Sequence, residues 1–187
     1  MKKWLSVLAI VGFSVTTVYG SGLGGFASYW DSKDADSTWG GGALLRIDLD
    51  ENLQLDIRGS YYEFSDREFG TKWELEVIPI EAALMFKIPL DQQFNAYIGG
   101  GGGYYIADWE FSSPEGRIKV DIDDEFGFFA VGGIDVRVGD ALSIFGEAKY
   151  TWLEYKKAKV RELGPERLDI DLDMNGIAVN IGLLLRF

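Results

Sequence analysis

The feature that most constrains this chain is a two-residue alternation of apolar and polar side chains, clearest in its last segment, NGIAVNIGLLLRF (175–187). From Ile177 to Phe187 every odd position is large and apolar. A period of two is that of a β-strand whose two faces meet different surroundings. Strands in globular proteins average about 5 to 6 residues, whereas a tilted transmembrane strand needs about 9 to 11. The segment therefore predicts a strand long enough to cross a bilayer.

The same alternation recurs along the chain and predicts eight strands. Their approximate ranges are 22–30, 39–48, 53–62, 77–88, 94–107, 126–138, 142–152 and 177–187. The first and fifth strands are rich in glycine, so the alternation does not assign their faces. In the fifth strand, the run of five glycines at 99–103 indicates positions where glycine permits the strand to bend or lets a neighbouring aromatic ring lie close to the backbone.

The first twenty residues predict a secretory signal peptide. Lys2 and Lys3 precede an apolar stretch from Trp4 to Val18, and small residues end at Gly20, after which we expect cleavage. The alternative is an N-terminal membrane anchor, but the stretch is shorter than the about 20 residues that a spanning helix needs and is broken by hydroxyl side chains. We predict residues 1–20 as the signal peptide and 21–187 as one domain.

The connections between the predicted strands alternate between short and long. Short turns lie at 48–52, 89–93 and 139–141, and longer polar segments at 31–38, 65–72, 108–124 and 156–168. Short turns at one end and long loops at the other are typical of outer-membrane barrels. The last two strands are expected to project beyond the membrane as a hairpin, because charged residues replace the apolar alternation before Asn175.

Large aromatic residues concentrate near the end of the strands that carries the long connections. A ring of aromatics at one height is typical of a membrane interface. The predicted aromatic girdle comprises Trp30, Trp39, Tyr61, Trp73, Tyr104, Phe128, Tyr150 and Trp152.

An even number of strands, with both termini at the same end, allows the first strand to pair with the last. Such closure leaves no edge strand and no backbone polar group facing lipid. The sequence therefore predicts an all-β fold, an eight-stranded antiparallel up-and-down transmembrane β-barrel.

On these features the chain resembles the small bacterial outer-membrane β-barrels of the OmpA transmembrane-domain and OmpX type. The resemblance covers about 22–187 and rests on the signal peptide, VIPIEAALMF (77–86), FGFFAVGGIDVRV (126–138), LSIFGEAKYTW (142–152) and the final strand. It implies a location in the bacterial outer membrane, in contact with outer-membrane lipid and lipopolysaccharide. It also implies a C-terminal insertion signal that the barrel-insertion machinery reads, carried by Val179, Ile181, Leu183, Leu185 and Phe187.

The faces opposite the apolar ones carry charge of both signs. Six basic and five acidic residues are expected to point into the lumen: Arg46, Asp48, Asp56, Arg58, Glu81, Lys87, Asp135, Arg137, Glu147, Lys149 and Arg186. Side chains about fill the interior of an eight-stranded barrel, so near-balanced charge predicts an interlocked ion-pair plug, with Glu81 paired to Lys149 or Arg58. The alternative is a narrow pore lined by the same groups.

The residue types that usually carry catalysis or bind metal are scarce. The chain has no His and no Cys, which removes the usual nucleophile and base pairs, and we predict that it is not an enzyme and has no cofactor. The segment DIDLDMNG (169–176) opens like a calcium loop, but its twelfth position is Gly182 rather than Glu, so the motif fails. A net charge of −12 argues against nucleic-acid binding, which requires Lys and Arg to neutralise phosphates.

These observations predict a structural or surface-interaction role, exercised through four extracellular loops toward an unidentified surface partner. The alternative function is a small passive channel for ions or small solutes. The acidic segments 31–38 and 121–125 are expected to be solvated loop tips, with divalent-cation binding as the other interpretation.

Overall fold

All regular elements of the described chain are β-strands, joined in one antiparallel sheet. The computed structural model describes residues 21–35, 37–68, 71–113, 116–122, 124–160 and 167–187, with side chains except in 65–74, 109–123 and 156–171. The predicted signal peptide, 1–20, lies outside the described residues. The strands are β1 (Ser21–Ser32), β2 (Ser37–Asp48), β3 (Leu53–Glu68), β4 (Thr71–Pro89), β5 (Phe94–Ser113), β6 (Gly116–Ile122), β7 (Glu125–Arg137), β8 (Leu142–Trp152), β9 (Glu154–Val160), β10 (Arg167–Asp173) and β11 (Gly176–Arg186).

The sheet closes on itself through eight of these strands. Strand β1 pairs with β2 on one side and with β11 on the other, from Gly22 opposite Arg186 to Ser32 opposite Gly176. The circuit continues through β3, β4, β5, β7 and β8 back to β11. The predicted eight-stranded antiparallel barrel is thus confirmed, with β6, β9 and β10 outside the circuit.

Three short turns connect strands at the end that also holds both ends of the barrel. In two of them an aspartate at the same turn position accepts a hydrogen bond from the next backbone N–H: Asp50 from Glu51 at 2.7 Å and Asp91 from Gln92 at 2.6 Å. Reciprocal backbone hydrogen bonds join Ser21 and Phe187 at the same end. We call this the short-turn end.

The opposite end differs from the sequence prediction, because three of its expected long loops consist largely of strands. The sequence predicts polar connections at 65–72, 108–124 and 156–168. In the structure, β3 and β4 extend into the first segment, β5 and β6 occupy most of the second, and β9 extends into the third. Backbone pairing explains the difference, since each arm satisfies its N–H and C=O groups on the other arm. We call this the long-hairpin end.

The predicted projecting hairpin is formed by β9 and β10. The pairing of β8 with β11 stops at Thr151 opposite Gly176, and β9 then pairs with β10 and with β6. A register shift between Asp169 and Leu172 marks an irregularity in this hairpin. The sheet order β10-β9-β6-β5 therefore extends the barrel wall beyond the closed circuit.

Side chains in the barrel alternate between its inside and its outside. On β4, for example, Glu81, Ala83 and Met85 are buried whereas Leu84 and Phe86 are exposed. The glycine run on β5 serves the predicted close contact, because a Cβ atom on Gly102 would lie 2.5 Å from the ring of Phe126. This contact lies on the outer wall, where Phe126 is exposed, whereas the buried side chains of β4 point into the lumen.

Candidate functional site in the barrel lumen

The middle of the lumen is filled by six buried charged residues, which we call the lumen network. Its members are Arg46, Asp56, Arg58, Glu81, Glu147 and Lys149. They lie on β2, β3, β4 and β8, each at an inward position of its strand. The sequence predicted all six for this face.

The first part of the network joins neighbouring strands. Arg46 lies directly opposite Asp56 in the β2–β3 ladder and donates from Nε and Nη2 to its two carboxylate oxygens, both at 2.8 Å. This bidentate arrangement is the strongest geometry for such a pair. The guanidinium of Arg46 also lies 4.6 Å from the ring centre of Tyr97, a distance suited to a cation–π contact.

The second part crosses the lumen. Arg58 donates to Asp56 on its own strand at 2.8 Å and to Glu147 on β8 at 2.5 Å. Glu147 also accepts hydrogen bonds from Asn180 Nδ2 at 2.8 Å and from the Tyr97 hydroxyl at 2.9 Å. The Glu147 carboxylate thus accepts hydrogen bonds from side chains on three different strands.

The third part lies toward the long-hairpin end. Lys149 donates to both oxygens of Glu81, at 2.7 and 2.9 Å, and the Tyr105 hydroxyl donates to Glu81 at 2.6 Å. Of the two predicted partners for Glu81, the structure selects Lys149. Arg58, although opposite Glu81 in the β3–β4 ladder, is hydrogen-bonded to Asp56 and Glu147 instead.

The formal charges of the lumen network cancel, three against three. Burying an unpaired charge costs several kcal/mol, so mutual pairing is what permits so many ionised groups in this space. Each of the six charged side chains therefore has at least one partner of opposite charge. Four buried polar side-chain atoms have no hydrogen-bond partner among the described residues: Trp30 Nε1, Arg58 Nε, Asp135 Oδ1 and Asn180 Oδ1.

The remaining charged residues predicted for the lumen, two pairs and one single residue, lie nearer the short-turn end. Arg186 donates to Asp135 and to Ser143, both at 2.9 Å. Lys87 lies 3.7 Å from Asp48, and both side chains are partly exposed. The prediction that Arg137 points into the lumen is wrong, because its side chain is exposed. It is the last residue of β7, where a long cationic side chain can reach water at the barrel rim, and alternation alone does not report depth.

An apolar cluster fills the lumen at the long-hairpin end, and sequence reasoning missed it. We call it the mouth cluster, and its buried members are Trp30, Ala35, Tyr62, Phe64, Leu75, Val77, Tyr105, Ala107, Leu153, Tyr155, Met174 and Ala178. The alternation in the sequence does indicate these residues. Tyr62 and Phe64 continue the even-numbered inward positions of β3, and Leu75 and Val77 continue the odd-numbered inward positions of β4. Carrying the alternation past the last charged residue would have found them.

The predicted aromatic girdle is partly corrected. Trp39, Tyr61, Tyr104, Phe128, Tyr150 and Trp152 are exposed on the outer face. Trp30 is only 2% exposed and packs edge-on against Tyr62 and Phe64 at ring distances of 5.0 and 5.6 Å. Its strand is the glycine-rich β1, whose faces the sequence did not assign. The side chain of Trp73 lies outside the described residues.

The outward face of the last strand matches its apolar alternation. Val179, Ile181, Leu183, Leu185 and Phe187 are all exposed on the outer wall, and Phe187 reaches 77%. Between them, Ala178, Asn180 and Leu184 face inward and are buried. An uninterrupted apolar outer face is what contact with hydrocarbon requires.

The described part of the chain contains no helix that is long and apolar enough to cross a membrane. Its residues also include no group of three or more His, Cys, Asp or Glu side chains placed to hold a metal ion.

Comparison with solved structures identifies the same architecture. Neisserial surface protein A superposes with a TM-score of 0.64 at 10% identity, over 89% of this chain and 97% of that one. A major outer membrane protein of Thermus thermophilus gives 0.64 at 10% identity, over 89% and 99%. Ail, the attachment invasion locus protein of Yersinia pestis, gives 0.57 at 12% identity, over 90% and 98%. At such identities the likeness concerns the fold alone.

In sequence, no curated protein matches the chain. A family model, however, that of the outer membrane protein beta-barrel domain, matches residues 5–187. The closed eight-stranded circuit, the apolar outer wall and the polar lumen agree with that match. The chain therefore belongs to the outer membrane protein beta-barrel domain family, and the protein resides in the bacterial outer membrane.

Proposed function

We propose that the protein acts as a plugged barrel, with a structural or surface-interaction role exercised through its extracellular segments. The observation that carries this proposal is the lumen network, in which Lys149 and Arg58 tie β8 to β4 and β3 across the interior. The mouth cluster lies in the lumen beyond it and adds an apolar layer. An ion would have to displace both layers to pass, which argues against the alternative of a passive channel.

The long-hairpin end supports a role at the cell surface. In outer-membrane barrels the short turns are periplasmic and the longer connections extracellular. In the described part of this chain, the long-hairpin end consists largely of paired strands, with β6, β9 and β10 extending the wall. Two structural neighbours are described by their names as a surface protein and an attachment invasion locus protein, in keeping with this role.

Catalysis does not belong to the proposed role. The chain has neither His nor Cys, and the buried carboxylates Asp56, Glu81 and Glu147 are each engaged by basic side chains. A paired carboxylate inside a packed lumen has no access to a substrate. The proposal therefore includes no enzymatic activity and no cofactor.

Assembly is the second part of the proposal. The outward residues of β11 together with Phe187 form the segment that we expect the barrel-insertion machinery to recognise. This strand also closes the barrel against β1, so its recognition and barrel closure involve the same residues. Outer-membrane lipid and lipopolysaccharide are the expected surroundings of the outer wall.

Single-channel conductance in a planar bilayer tests the plug. The folded wild-type protein should be silent, whereas Glu81→Ala, which leaves Lys149 without its carboxylate, should leak or show unstable openings. Discrete, reproducible openings from the wild-type protein would overturn the plug in favour of the channel. Heat-modifiable mobility on a gel verifies that each sample is folded.

Surface display is tested by cysteine labelling, which is clean because the chain contains no Cys. Ser37→Cys at the long-hairpin end should react with a membrane-impermeant maleimide on intact cells. The matched control is Gln92→Cys in a short turn, which should react only after the outer membrane is disrupted. The reverse pattern would contradict the assigned orientation.

A further inference from the structure

The outer wall of the barrel carries a patch of exposed aromatic side chains near the long-hairpin end, which we call the aromatic face. Its members lie on the adjacent strands β5, β7 and β8: Tyr104, Phe126, Phe128, Tyr150 and Trp152. In the two ladders, Tyr104 lies opposite Phe126, and Phe128 lies opposite Trp152. Phe126 and Phe128 also contact edge-on with ring centres 5.1 Å apart, and Tyr150 and Trp152 do so at 4.8 Å. The five rings therefore form one continuous surface.

The wall opens into a notch at the outer border of this face. The pairing of β7 with β8 ends at Phe128 opposite Trp152, and the pairing of β6 with β9 begins only at Ile122 opposite Ala158. A cavity of about 290 Å³ lies beside this interruption. Its lining comprises Glu125, Phe126, Trp152, Leu153, Glu154 and Asn175. Because Leu153 belongs to the buried mouth cluster, the notch has an apolar floor.

The border of the notch is negatively charged. Glu125 and Glu154 belong to its lining, and the neighbouring Asp124 accepts a hydrogen bond from the Tyr104 hydroxyl at 3.0 Å. Among the described side chains that line the notch, none is basic. The notch thus places two exposed aromatic rings beside two carboxylates. Aromatic ring faces and carboxylates both attract cations, so this combination suits a cationic group with an apolar stem.

We infer that the notch is a docking site for an arginine side chain of an extracellular protein partner. A guanidinium stacks on an aromatic ring and donates two parallel hydrogen bonds to a carboxylate, which an ammonium does not. Here the ring is that of Trp152, and the carboxylate is that of Glu154, two residues further along the same face of the chain. The aliphatic stem of the arginine would lie against Leu153. The inference rests on the surface-interaction role proposed above and names the chemistry of the partner.

Charge complementarity separates this occupant from lipopolysaccharide, which we expect around the wall at this end. Lipopolysaccharide carries phosphates, and the carboxylates of Glu125 and Glu154 repel them. The position of the notch points the same way. Tyr150 and Trp152 belong to the girdle, which marks the membrane interface, and Glu154 lies beyond Trp152 toward the long-hairpin end. The charged border of the notch therefore faces water rather than hydrocarbon.

The test measures how tightly a fluorescent peptide, with three arginines separated by glycines, binds the folded protein in nanodiscs that contain lipopolysaccharide. The control peptide carries citrulline, a neutral isostere of arginine, at the same positions. The arginine peptide should bind about tenfold more tightly, the change that one cation–π contact and one exposed ion pair together provide. Equal binding of the two peptides, no binding of either, or binding only when lipopolysaccharide is left out would overturn the inference.

Two pairs of variants separate the notch from the overall negative charge of the protein. Trp152→Leu should reduce the preference for the arginine peptide, whereas Trp39→Leu, which alters an exposed tryptophan outside the aromatic face, should not. Phe126→Leu is a second ring variant with the same expectation as Trp152→Leu. Glu154→Gln should weaken binding of the arginine peptide, whereas Glu63→Gln, which neutralises an exposed carboxylate at the same end of the barrel, should not. Identical behaviour within either pair would contradict the assigned notch.

Failure of this test is distinguishable from failure of the surface role on which it rests. If the notch does not bind arginine, Ser37→Cys should still react with the impermeant maleimide on intact cells, and the inference alone is overturned. If Ser37→Cys does not react on intact cells, the surface role is overturned, and the docking site with it.

Discussion

The ammonium of Lys149 donates to both carboxylate oxygens of Glu81, at 2.7 and 2.9 Å, although the two residues lie on strands that are not neighbours. Two other strands, β5 and β7, separate β8 from β4 along the wall. The pair therefore bridges the lumen rather than reinforcing a ladder. Its contribution can be measured against pairs at the barrel rim.

Replacing Glu81 should be strongly destabilising. Glu81→Gln leaves the ammonium of Lys149 buried without a counter-charge, and removing one partner of a buried pair costs about 3 to 5 kcal/mol. The measurement is the urea unfolding midpoint of the protein folded in lipid vesicles.

The matched control for this variant is Lys87→Gln. Its pair with Asp48 is longer and partly exposed, so the loss should be below about 1 kcal/mol. The double variant Glu81→Gln, Lys149→Met should recover much of the stability, because neither buried charge remains. Equal losses for Glu81→Gln and Lys87→Gln would show that the cross-lumen pair contributes no more than a rim contact.

The lipid-facing assignment of β11 can be tested with a charge. Ile181 is exposed midway along the outer face of the strand, and an arginine at the bilayer midplane costs about 2 to 4 kcal/mol. We expect Ile181→Arg to lower the free energy of unfolding in vesicles by this amount. Leu185→Arg, on the same face near the short-turn end, should cost only about 0 to 1 kcal/mol. The opposite ranking would contradict the assigned depths.

The two tryptophans near the long-hairpin end should respond differently to truncation. Trp30 is buried in the mouth cluster, and removing a buried aromatic side chain costs about 3 to 5 kcal/mol. Trp39 is 71% exposed on the outer wall. We expect Trp30→Ala to reduce the free energy of unfolding at least about twice as much as Trp39→Ala. Similar losses of unfolding free energy for the two variants would contradict the burial of Trp30 in the mouth cluster.

The junction between β10 and β11 should weaken in acid. The pKa of Asp173 is lowered because its carboxylate accepts hydrogen bonds from Lys33 and from the backbone N–H of Asn175. A carboxylate with a depressed pKa stabilises the folded state above its unfolded pKa of about 3.9 and loses that contribution as the pH falls through the folded value. The protection factor of the amides at the junction, which is the exchange rate corrected for its intrinsic dependence on pH, should therefore fall below about pH 4.

The control for this pH effect is Asp173→Asn, in which the protection factors at the junction should already be low at neutral pH and change little on acidification. An unaltered exchange rate in the variant at neutral pH would mean that Asp173 does not secure the junction.

The role of Phe187 in assembly can be distinguished from the effect of removing any exposed aromatic residue. Phe187→Ala should lower the amount of folded protein in the outer membrane, because it removes the end of the segment expected to be recognised during insertion. Phe94→Ala removes another exposed aromatic residue of the outer wall and serves as the control. Comparable yields for the two variants, assayed by heat-modifiable mobility of membrane fractions, would argue against a special role for Phe187.

The alternation of side chains along the sequence by itself determines much of this architecture. A period of two places Ile181 and Leu183 on one face and Asn180 on the other whatever the partner strands are. The same rule placed Arg46 and Glu147 inside. The strands, their outward faces and the charged composition of the lumen are thus local properties of the chain.

Tertiary structure alone decided how these faces meet and where they end. Which residues meet across the lumen depends on the register of every ladder, so Glu81 and Lys149 could not be paired uniquely from their sequence separation. Trp30 faces inward because closure against β11 sets the phase of a glycine-rich strand. Arg137 faces water because the lumen ends there. Alternation assigns each side chain a face, but its depth and its contacts follow only from closing the barrel.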